Sequence, residues 1–267
     1  MDHGDCIKFL GTAGARFVVA KQLRSSAGVY IRMKEKNIIL DPGPGTLVRC
    51  AKSKPGIDVT QLDAIILTHA HIDHSNDVNI LIDAMTGGGL KRRGIVFAPE
   101  ECIHGENAVV LPYLRSCAQE IVVLQPTQKY HIDELSFATS GTHRHQVETY
   151  GVVFDYYGRK ISFMVDTKYF PDLIKDYKDS DTLVMNVVRL TPHVAGEVMH
   201  LCIADVKEIL SRINPRKAIL THFGMTMLKA KPWVVANELS HDLGIDVIAA
   251  SDGMTIELGG EYRGEDR

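Results

Sequence analysis

The residues most able to do chemistry cluster at positions 68–74, which read THAHIDH and hold three histidines and one aspartate. The cluster follows the apolar run 64–67, which predicts a buried strand. Histidine and aspartate are rarely buried without partners, and neutral imidazole and carboxylate groups are common ligands of Zn²⁺ and similar metals. We therefore predict that this segment forms part of a metal site and that other strand ends supply the remaining ligands.

Further polar residues occupy similar places in the sequence. Asp41, Asp166 and His222 each come after a short apolar run that predicts a strand, and His145 lies between two predicted strands. Ligands in α/β proteins collect at the carboxyl ends of strands, so these side chains are expected to meet. Two metal ions about 3.5–4 Å apart can share a hydroxide and a carboxylate, which is the arrangement that this set of residues favours.

The pattern of apolar runs predicts an α/β protein. Strands alternate with helices but hairpins are frequent, so two mixed β-sheets flanked by helices fit best. The predicted strands are 7–10, 28–33, 37–40, 64–67, 95–98, 121–124, 135–139, 151–156, 161–165, 182–187, 217–220, 246–249 and 254–258. The predicted helices are 46–52, 78–85, part of 100–118, one that starts at His200, and 232–243. Without a linker rich in Gly, Pro or Ser, we predict one domain, 1–267, built of two halves, roughly 1–125 and 126–267.

Composition restricts the class of protein. Of the 267 residues, 45% are apolar and 24% are charged, as is usual for a soluble globular protein. The net charge of −3 argues against a nucleic-acid surface, which normally carries a basic excess. Five scattered cysteines, an acidic N-terminus and the absence of an apolar run near about 20 residues predict a cytoplasmic protein that does not enter a membrane. The oligomeric state is left open, with a homodimer as one alternative.

From Asp41 to His222 the motifs resemble the metallo-β-lactamase fold superfamily. The resemblance implies an αββα four-layer sandwich and a hydrolase that uses two divalent metal ions, Zn²⁺ first, with Mn²⁺ or Fe²⁺ as alternatives. It also implies that Asp41 orients ligands without binding metal itself and that Asp166 bridges the two ions. The implied ligands are, for the first ion, His69, His71 and His145, and for the second ion, Asp73, His74 and His222.

His145 is preferred to His143 because, in the phosphodiesterase branch of the superfamily, a histidine precedes a glycine by six positions. His145 and Gly151 match that spacing. His143 is then expected to be an exposed loop residue, with a role in orienting the ligands as the alternative.

Within the superfamily, residues 9–12 (FLGT), 41–46 (DPGPGT) and 200–206 resemble tRNA 3′-processing endonuclease Z and the cyclic phosphodiesterases of phosphonate breakdown. The resemblance implies that His200 binds phosphate or protonates a leaving oxygen; an ordinary histidine at a helix start is the alternative. The endonucleases carry a long tRNA-binding arm. Here 21 positions separate His145 from Asp166 (166 − 145), which is room for one hairpin. We therefore expect a small or cyclic phosphodiester rather than a nucleic acid.

The sequence-based hypothesis is a phosphodiesterase in which Asp73 both ligates metal and hydrogen-bonds the attacking hydroxide. Candidate phosphate-binding cations are Lys91, Arg92 and Arg93, in the glycine-rich segment 86–94 that could close over the site, and Lys168. Solvated surface charge is the alternative reading of all four cations. Two other functions remain open: hydrolysis of a thioester, lactone or β-lactam on the same fold, and non-catalytic metal binding.

Overall fold

The computed structural model describes residues 4–26, 28–106, 108–192 and 198–259. These residues form two seven-stranded sheets. The strands are β1 (Cys6–Phe9), β2 (Val29–Met33), β3 (Lys36–Leu40), β4 (Ala64–Ile66), β5 (Arg93–Ala98), β6 (Ala118–Val123), β7 (Lys129–Ile132), β8 (Leu135–Thr142), β9 (Tyr150–Tyr156), β10 (Arg159–Met164), β11 (Ser180–Asn186), β12 (Lys217–Thr221), β13 (Asp246–Ala249) and β14 (Thr255–Glu257).

Ten α-helical segments lie within the described ranges. They are α1 (Ala15–Ala20), α2 (Thr46–Lys52), α3 (Ile72–Ser75), α4 (Val78–Met85), α5 (Glu100–Ile103), α6 (Pro112–Arg115), α7 (Leu173–Tyr177), α8 (Ile203–Ile213), α9 (Met225–Lys229) and α10 (Pro232–Leu243). None of these helices is long and apolar enough to cross a membrane.

Both sheets combine antiparallel and parallel pairing. The first sheet has the order β14-β1-β2-β3-β4-β5-β6, and the second has the order β13-β12-β11-β10-β9-β8-β7. In the first sheet β3 to β6 are parallel, and in the second sheet β10 to β13 are parallel. Each sheet therefore gathers the carboxyl ends of several strands along one edge, where polar residues can meet.

Alternating side chains explain the four layers. Along β3, Ile38 and Leu40 belong to a central core that also contains Val184 of the second sheet, whereas Ile39 packs toward the helices on the opposite face. Leu183, on the second sheet, likewise packs in a separate core with α8 and α10. Because the parallel strands are covered on both faces, they read as continuous apolar runs. The predicted αββα sandwich is confirmed.

Short elements account for most differences from the prediction. The sequence prediction missed β7, α1, α3, α7 and α9, which have four to six residues each and are too short to show a period. The predicted division near residue 125 falls between β6 and β7. However, β14 returns to pair with β1 in the first sheet, so the second sequence half does not form a separate unit.

Gly43 tests how tightly the loop after β3 packs on the segment that carries the histidines. A Cβ atom at this position would collide with the backbone carbonyl oxygens of Asp73 and Ser26. We expect Gly43→Ala to lower the free energy of unfolding by about 1–3 kcal/mol, because backbone atoms would have to move apart. The measurement is denaturant unfolding of the chelated protein, so that metal affinity does not contribute.

The matched control is Gly56→Ala, since Gly56 is exposed and the atom nearest to a Cβ at this position would be 3.8 Å away. This change should leave the stability within about 0.5 kcal/mol of the parent. Equal stabilities for the two variants would show that the close approach at Gly43 is not required.

Candidate metal centre

The ends of strands from both sheets place polar side chains at one site. Asp41 follows β3, and the 68–74 segment follows β4, its parallel neighbour. Asp166 and His222 follow β10 and β12 in the second sheet. The sheets are joined here by a backbone hydrogen bond from the Tyr150 N–H to the Thr68 carbonyl, at 3.1 Å. His145, in the connection between β8 and β9, completes the cluster.

One group of ligand atoms comes from His69, His71 and His145, whose nitrogens lie within 4.8 Å of one another. The Nε2 atom of His145 is 3.0 Å from Nδ1 of His71. Nδ1 of His145 is 3.1 Å from the Met199 carbonyl and must donate to it. The neutral ring therefore presents an unprotonated Nε2 to the group, as a metal ligand requires.

A second group consists of Asp73, His74 and His222, again within 4.8 Å. Oδ2 of Asp73 is 3.8 Å from Nε2 of His74 and 3.7 Å from Nε2 of His222. The sequence prediction divided the same six residues into the same two sets.

The carboxylate of Asp166 lies between the two groups and is 2% exposed. Its Oδ2 is 4.0 Å from Nε2 of His69 and 3.6 Å from Nε2 of His74, and its Oδ1 is 3.4 Å from Nε2 of His222. The Asn186 amide donates to Oδ1 at 2.9 Å and holds the carboxylate in this orientation. One side chain thus faces ligands of both groups.

Buried nitrogen atoms without partners show that a cation would fit. Nε2 of His69, His74 and His222 is buried and has no hydrogen-bond partner among the described residues. Leaving such atoms unpaired costs about 1–3 kcal/mol each. Binding of a divalent cation would remove this cost, and the imidazole and carboxylate donor set suits Zn²⁺. The residues present therefore fit the metal ions that the sequence implied.

Asp41 fixes the tautomers of two ligands through three hydrogen bonds. Its Oδ1 accepts the Thr68 N–H at 2.7 Å, and its Oδ2 accepts the Thr68 hydroxyl at 2.7 Å. The Thr68 oxygen, having donated its only proton, must accept from Nδ1 of His69 at 3.0 Å. Oδ2 of Asp41 also lies 3.0 Å from Nδ1 of His74. Both rings thereby carry their proton on Nδ1 and keep Nε2 for metal.

The pKa values show the effect of burial and of the mixed charges. Burial lowers the pKa of His145 to about 4 and that of His69 well below its usual value, so both rings are neutral near pH 7. Burial opposes charge on Asp166 as well, but His222 and His200 hold its pKa well below the ordinary value. Burial likewise lowers the pKa of His74, but the carboxylates of Asp73 and Asp41 outweigh it and raise that pKa. A bound metal would take the place of this His74 proton.

His200 also reaches the cluster, with Nδ1 3.5 Å from Oδ2 of Asp166. It does not begin a helix as predicted, because α8 starts at Ile203 and Cys202 caps it. The Cys202 N–H donates to the Asp205 carboxylate at 2.9 Å, which holds residues 200–202 outside the helix.

His143 is buried, so the expectation of an exposed loop residue was wrong. Its Nε2 is 2.7 Å from the Tyr177 hydroxyl, and its Nδ1 is 3.2 Å from the Asp166 carbonyl. The cause is that β8 continues to Thr142 and the His143 N–H then pairs with the Thr149 carbonyl. The sequence reading also missed Asn186, although it follows an apolar run of β11 just as Asp166 follows β10.

The predicted substrate-binding cations Lys91, Arg92 and Arg93 do not come to the site. Arg93 begins β5, which runs parallel to β4, whereas the histidine segment follows the opposite end of β4. The Arg93 guanidinium donates instead to the carbonyls of Thr60 and Leu62. The glycine-rich segment therefore borders the wrong edge of the sheet to close over the cluster. Lys168, two residues after Asp166 and exposed, stays a prediction.

Comparison with known sequences supports the same relationship. Residues 36–223 match the family described as the beta-lactamase superfamily domain. A Methanocaldococcus jannaschii protein, MJ1374, is 31% identical over 96% of this chain and 97% of its own length. Ribonuclease Z of Methanopyrus kandleri is 30% identical over 42% of this chain and 40% of its own length.

Solved structures show a similar fold at lower identity. The metallo-β-lactamase fold protein YhfI from Bacillus subtilis has a TM-score of 0.77 and 16% identity, covering 95% of this chain and 99% of its own. A diphosphatase of the PhnP family has a TM-score of 0.69 and 19% identity over 95% and 98%. Zn²⁺-bound PqqB from Methylobacterium extorquens has a TM-score of 0.73 and 13% identity over 95% and 100%.

Replacing Asp41 tests the tautomer assignment. In Asp41→Asn one acceptor oxygen becomes an NH₂ group, which only donates, so the hydrogen bonds from Thr68 and His74 cannot all be kept. We expect zinc affinity to fall about 10- to 100-fold, the usual cost of losing a residue that orients metal ligands. The measurement is competition with a chromophoric chelator. Asp58→Asn is the control, because Asp58 is exposed and its carboxylate accepts hydrogen bonds from the N–H and hydroxyl groups of Thr60. Unchanged affinity in Asp41→Asn would refute the assignment.

Proposed function

This chain belongs to the beta-lactamase superfamily, and on that premise we propose that it is a phosphodiesterase that uses two metal ions on a small or cyclic phosphodiester. That the chain is a metal-dependent hydrolase follows from the family and from its hydrolase relatives. The observation that carries the two-ion proposal is the Asp166 carboxylate, which faces both groups of ligand atoms. Zn²⁺ is the proposed metal, supported by the donor set and by the zinc found in the similar PqqB structure.

A phosphodiester substrate is supported by the named relatives and by the short connection after His145. One sequence relative is a ribonuclease Z and one similar structure is a diphosphatase. The chain between His145 and Asp166 contains only the β9–β10 hairpin. This hairpin has no extension that could serve as a tRNA-binding arm, which favours a small substrate.

The ligand residues have distinct proposed roles. Bound metal ions would polarise a phosphoryl oxygen and lower the pKa of a water molecule. His69, His71 and His145 would hold one ion, and Asp73, His74 and His222 the other, with Asp166 shared. Asp73, which is partly exposed, would accept a hydrogen bond from the attacking water. His200, whose Nδ1 atom is 3.5 Å from Oδ2 of Asp166, would donate a proton to the leaving oxygen.

Removal of one ligand tests the proposal. His69→Ala should abolish hydrolysis of bis(p-nitrophenyl) phosphate and reduce the zinc content, because one group of ligands would be incomplete. Metal content is measured by mass spectrometry and folding by circular dichroism. His241→Ala is the control, since the His241 side chain is 93% exposed and lies on α10.

The assay panel also contains a cyclic nucleotide, a thioester, a lactone, a β-lactam and a precursor tRNA. Full phosphodiesterase activity in the chelated parent protein would refute the role of metal. Hydrolysis of the thioester, lactone or β-lactam alone would replace the phosphodiester assignment, and preferred cleavage of the tRNA would refute the small substrate. Metal binding without any hydrolysis would indicate a non-catalytic member.

The role of His200 is tested by varying the leaving group. In His200→Ala we expect about a 10²-fold loss of kcat on a 2′,3′-cyclic nucleotide, whose alkoxide leaving oxygen needs a proton. On bis(p-nitrophenyl) phosphate the loss should be much smaller, because p-nitrophenolate leaves without protonation. Equal losses on both substrates would instead assign His200 to phosphate binding. Unchanged activity on both would show that it has neither role.

A further inference from the structure

An open cleft with a volume of about 880 Å³ adjoins the metal centre and has mainly apolar walls. His71, Asp73, Asp166 and His200 line its inner end. Val19 on α1 forms part of one wall, and Val109 forms part of another. A concave, largely apolar space with a few polar groups at one end is the usual form of a small-molecule site.

Ile72 is the most informative residue of this cleft. It lies between His71 and Asp73, yet its side chain is 74% exposed. The last two residues of α3, His74 and Ser75, are buried, so the helix directs Ile72 away from the core. Together with Val19 and Val109 of the same lining, Ile72 gives the cleft an apolar surface, and exposed apolar surfaces of this kind mark ligand-binding grooves.

Charge restricts what can occupy the cleft. Arg16 is the one arginine or lysine among the described lining residues, and Glu106 is an exposed acid in the same lining. A negatively charged substituent next to Glu106 would be repelled, whereas an uncharged ring would not. The phosphoryl group itself would lie toward the histidines and Arg16.

A second cleft of about 510 Å³ shares Arg16, Gln146 and His200 with the first. The two clefts therefore share part of their lining, and one of the shared residues, His200, has its Nδ1 atom 3.5 Å from Oδ2 of Asp166. A phosphodiester carries two ester groups on one phosphorus atom, whereas a monoester carries one. Two adjoining clefts offer separate space for the two ester groups of a diester.

We propose that the substrate is a phosphodiester with an uncharged aromatic group that packs against Ile72 and Val109, while Arg16 binds a phosphoryl oxygen. This inference rests on the proposed function and specifies its substrate class. The chemistry of the metal centre is unaffected by it, because neither Ile72, Val109 nor Arg16 is a ligand.

The test measures binding of diphenyl phosphate and dimethyl phosphate to the zinc-loaded full chain by calorimetry. The parent protein should bind diphenyl phosphate at least about tenfold more tightly, because a ring is removed from water. Ile72→Thr should reduce this preference by at least about threefold, since it replaces an apolar ethyl group by a hydroxyl group. The control is Ile80→Thr, the same substitution at an exposed position of α4 that lines neither cleft.

Two more variants distinguish the apolar contact with the ring from the charged contact with the phosphoryl group. Val109→Ser alters a different part of the wall from Ile72 and should lower the preference as well, which keeps the test valid if Ile72→Thr loses zinc. Arg16→Ala should weaken both diesters by a similar factor, because the phosphoryl group is common to them. An equal affinity of the parent for the two diesters, or an unchanged preference in both wall variants, would overturn the inference.

The proposed function and the inference about the aromatic group can be refuted independently of each other. Selective binding of diphenyl phosphate without hydrolysis of any phosphodiester would overturn the proposed function and leave the apolar site standing. Hydrolysis of bis(p-nitrophenyl) phosphate without selective diester binding would overturn only the inference about the aromatic group.

Discussion

The buried carboxylate of Asp166 is the constraint on which the rest of the site depends. An ionised carboxylate cannot be buried without compensation, and the Asn186 amide supplies only one hydrogen bond. The remaining compensation must be positive charge, from protonated histidines or from bound metal. Several of the facing imidazole nitrogens are buried and unpaired among the described residues, so bound metal ions would satisfy the carboxylate and the imidazoles together. This mutual requirement explains why so many ionisable groups share one site.

Neither sheet can build this site alone. The first sheet contributes Asp41 and the 69–74 segment, and the second contributes His145, Asp166 and His222. The distances between ligand atoms therefore depend on how the two sheets pack, which the central core determines. The hydrogen bond between Tyr150 and Thr68 ties the sheets together beside the ligands. The geometry of the candidate metal centre therefore depends on packing far from it. It also depends on Gly43, because a glycine at this position allows the loop after β3 to approach α3.

Candidate ligands could be predicted from the sequence where a polar residue follows a single short strand. Asp41, Asp166 and His222 could be predicted because a polar residue after a short apolar run has few structural explanations. The positions of Lys91 to Arg93 could not be predicted, because glycine and cation content does not reveal which edge of a sheet a loop borders. The predicted exposure of His143 was wrong for another reason, because whether this histidine faces inward depends on the point at which β8 ends. Helix α1 was missed because six residues are too few to show a period. The cleft wall that this helix forms could therefore not be predicted either.

Under the proposed function, the parts that do chemistry are separate from the parts that select a substrate. The ligands follow strands whose ladders fix their positions. The cleft walls, by contrast, are a six-residue helix and the connection after α5, which is held by bonds such as that from the Asn79 amide to the Val109 carbonyl. Surface connections of this kind can change without disturbing the sheets. Ile72 joins the two systems, since its backbone belongs to the ligand segment while its side chain faces the cleft. Under the proposed function, a change of this side chain would therefore alter which ester group binds, while the adjacent candidate ligands His71 and Asp73 would keep their backbone positions.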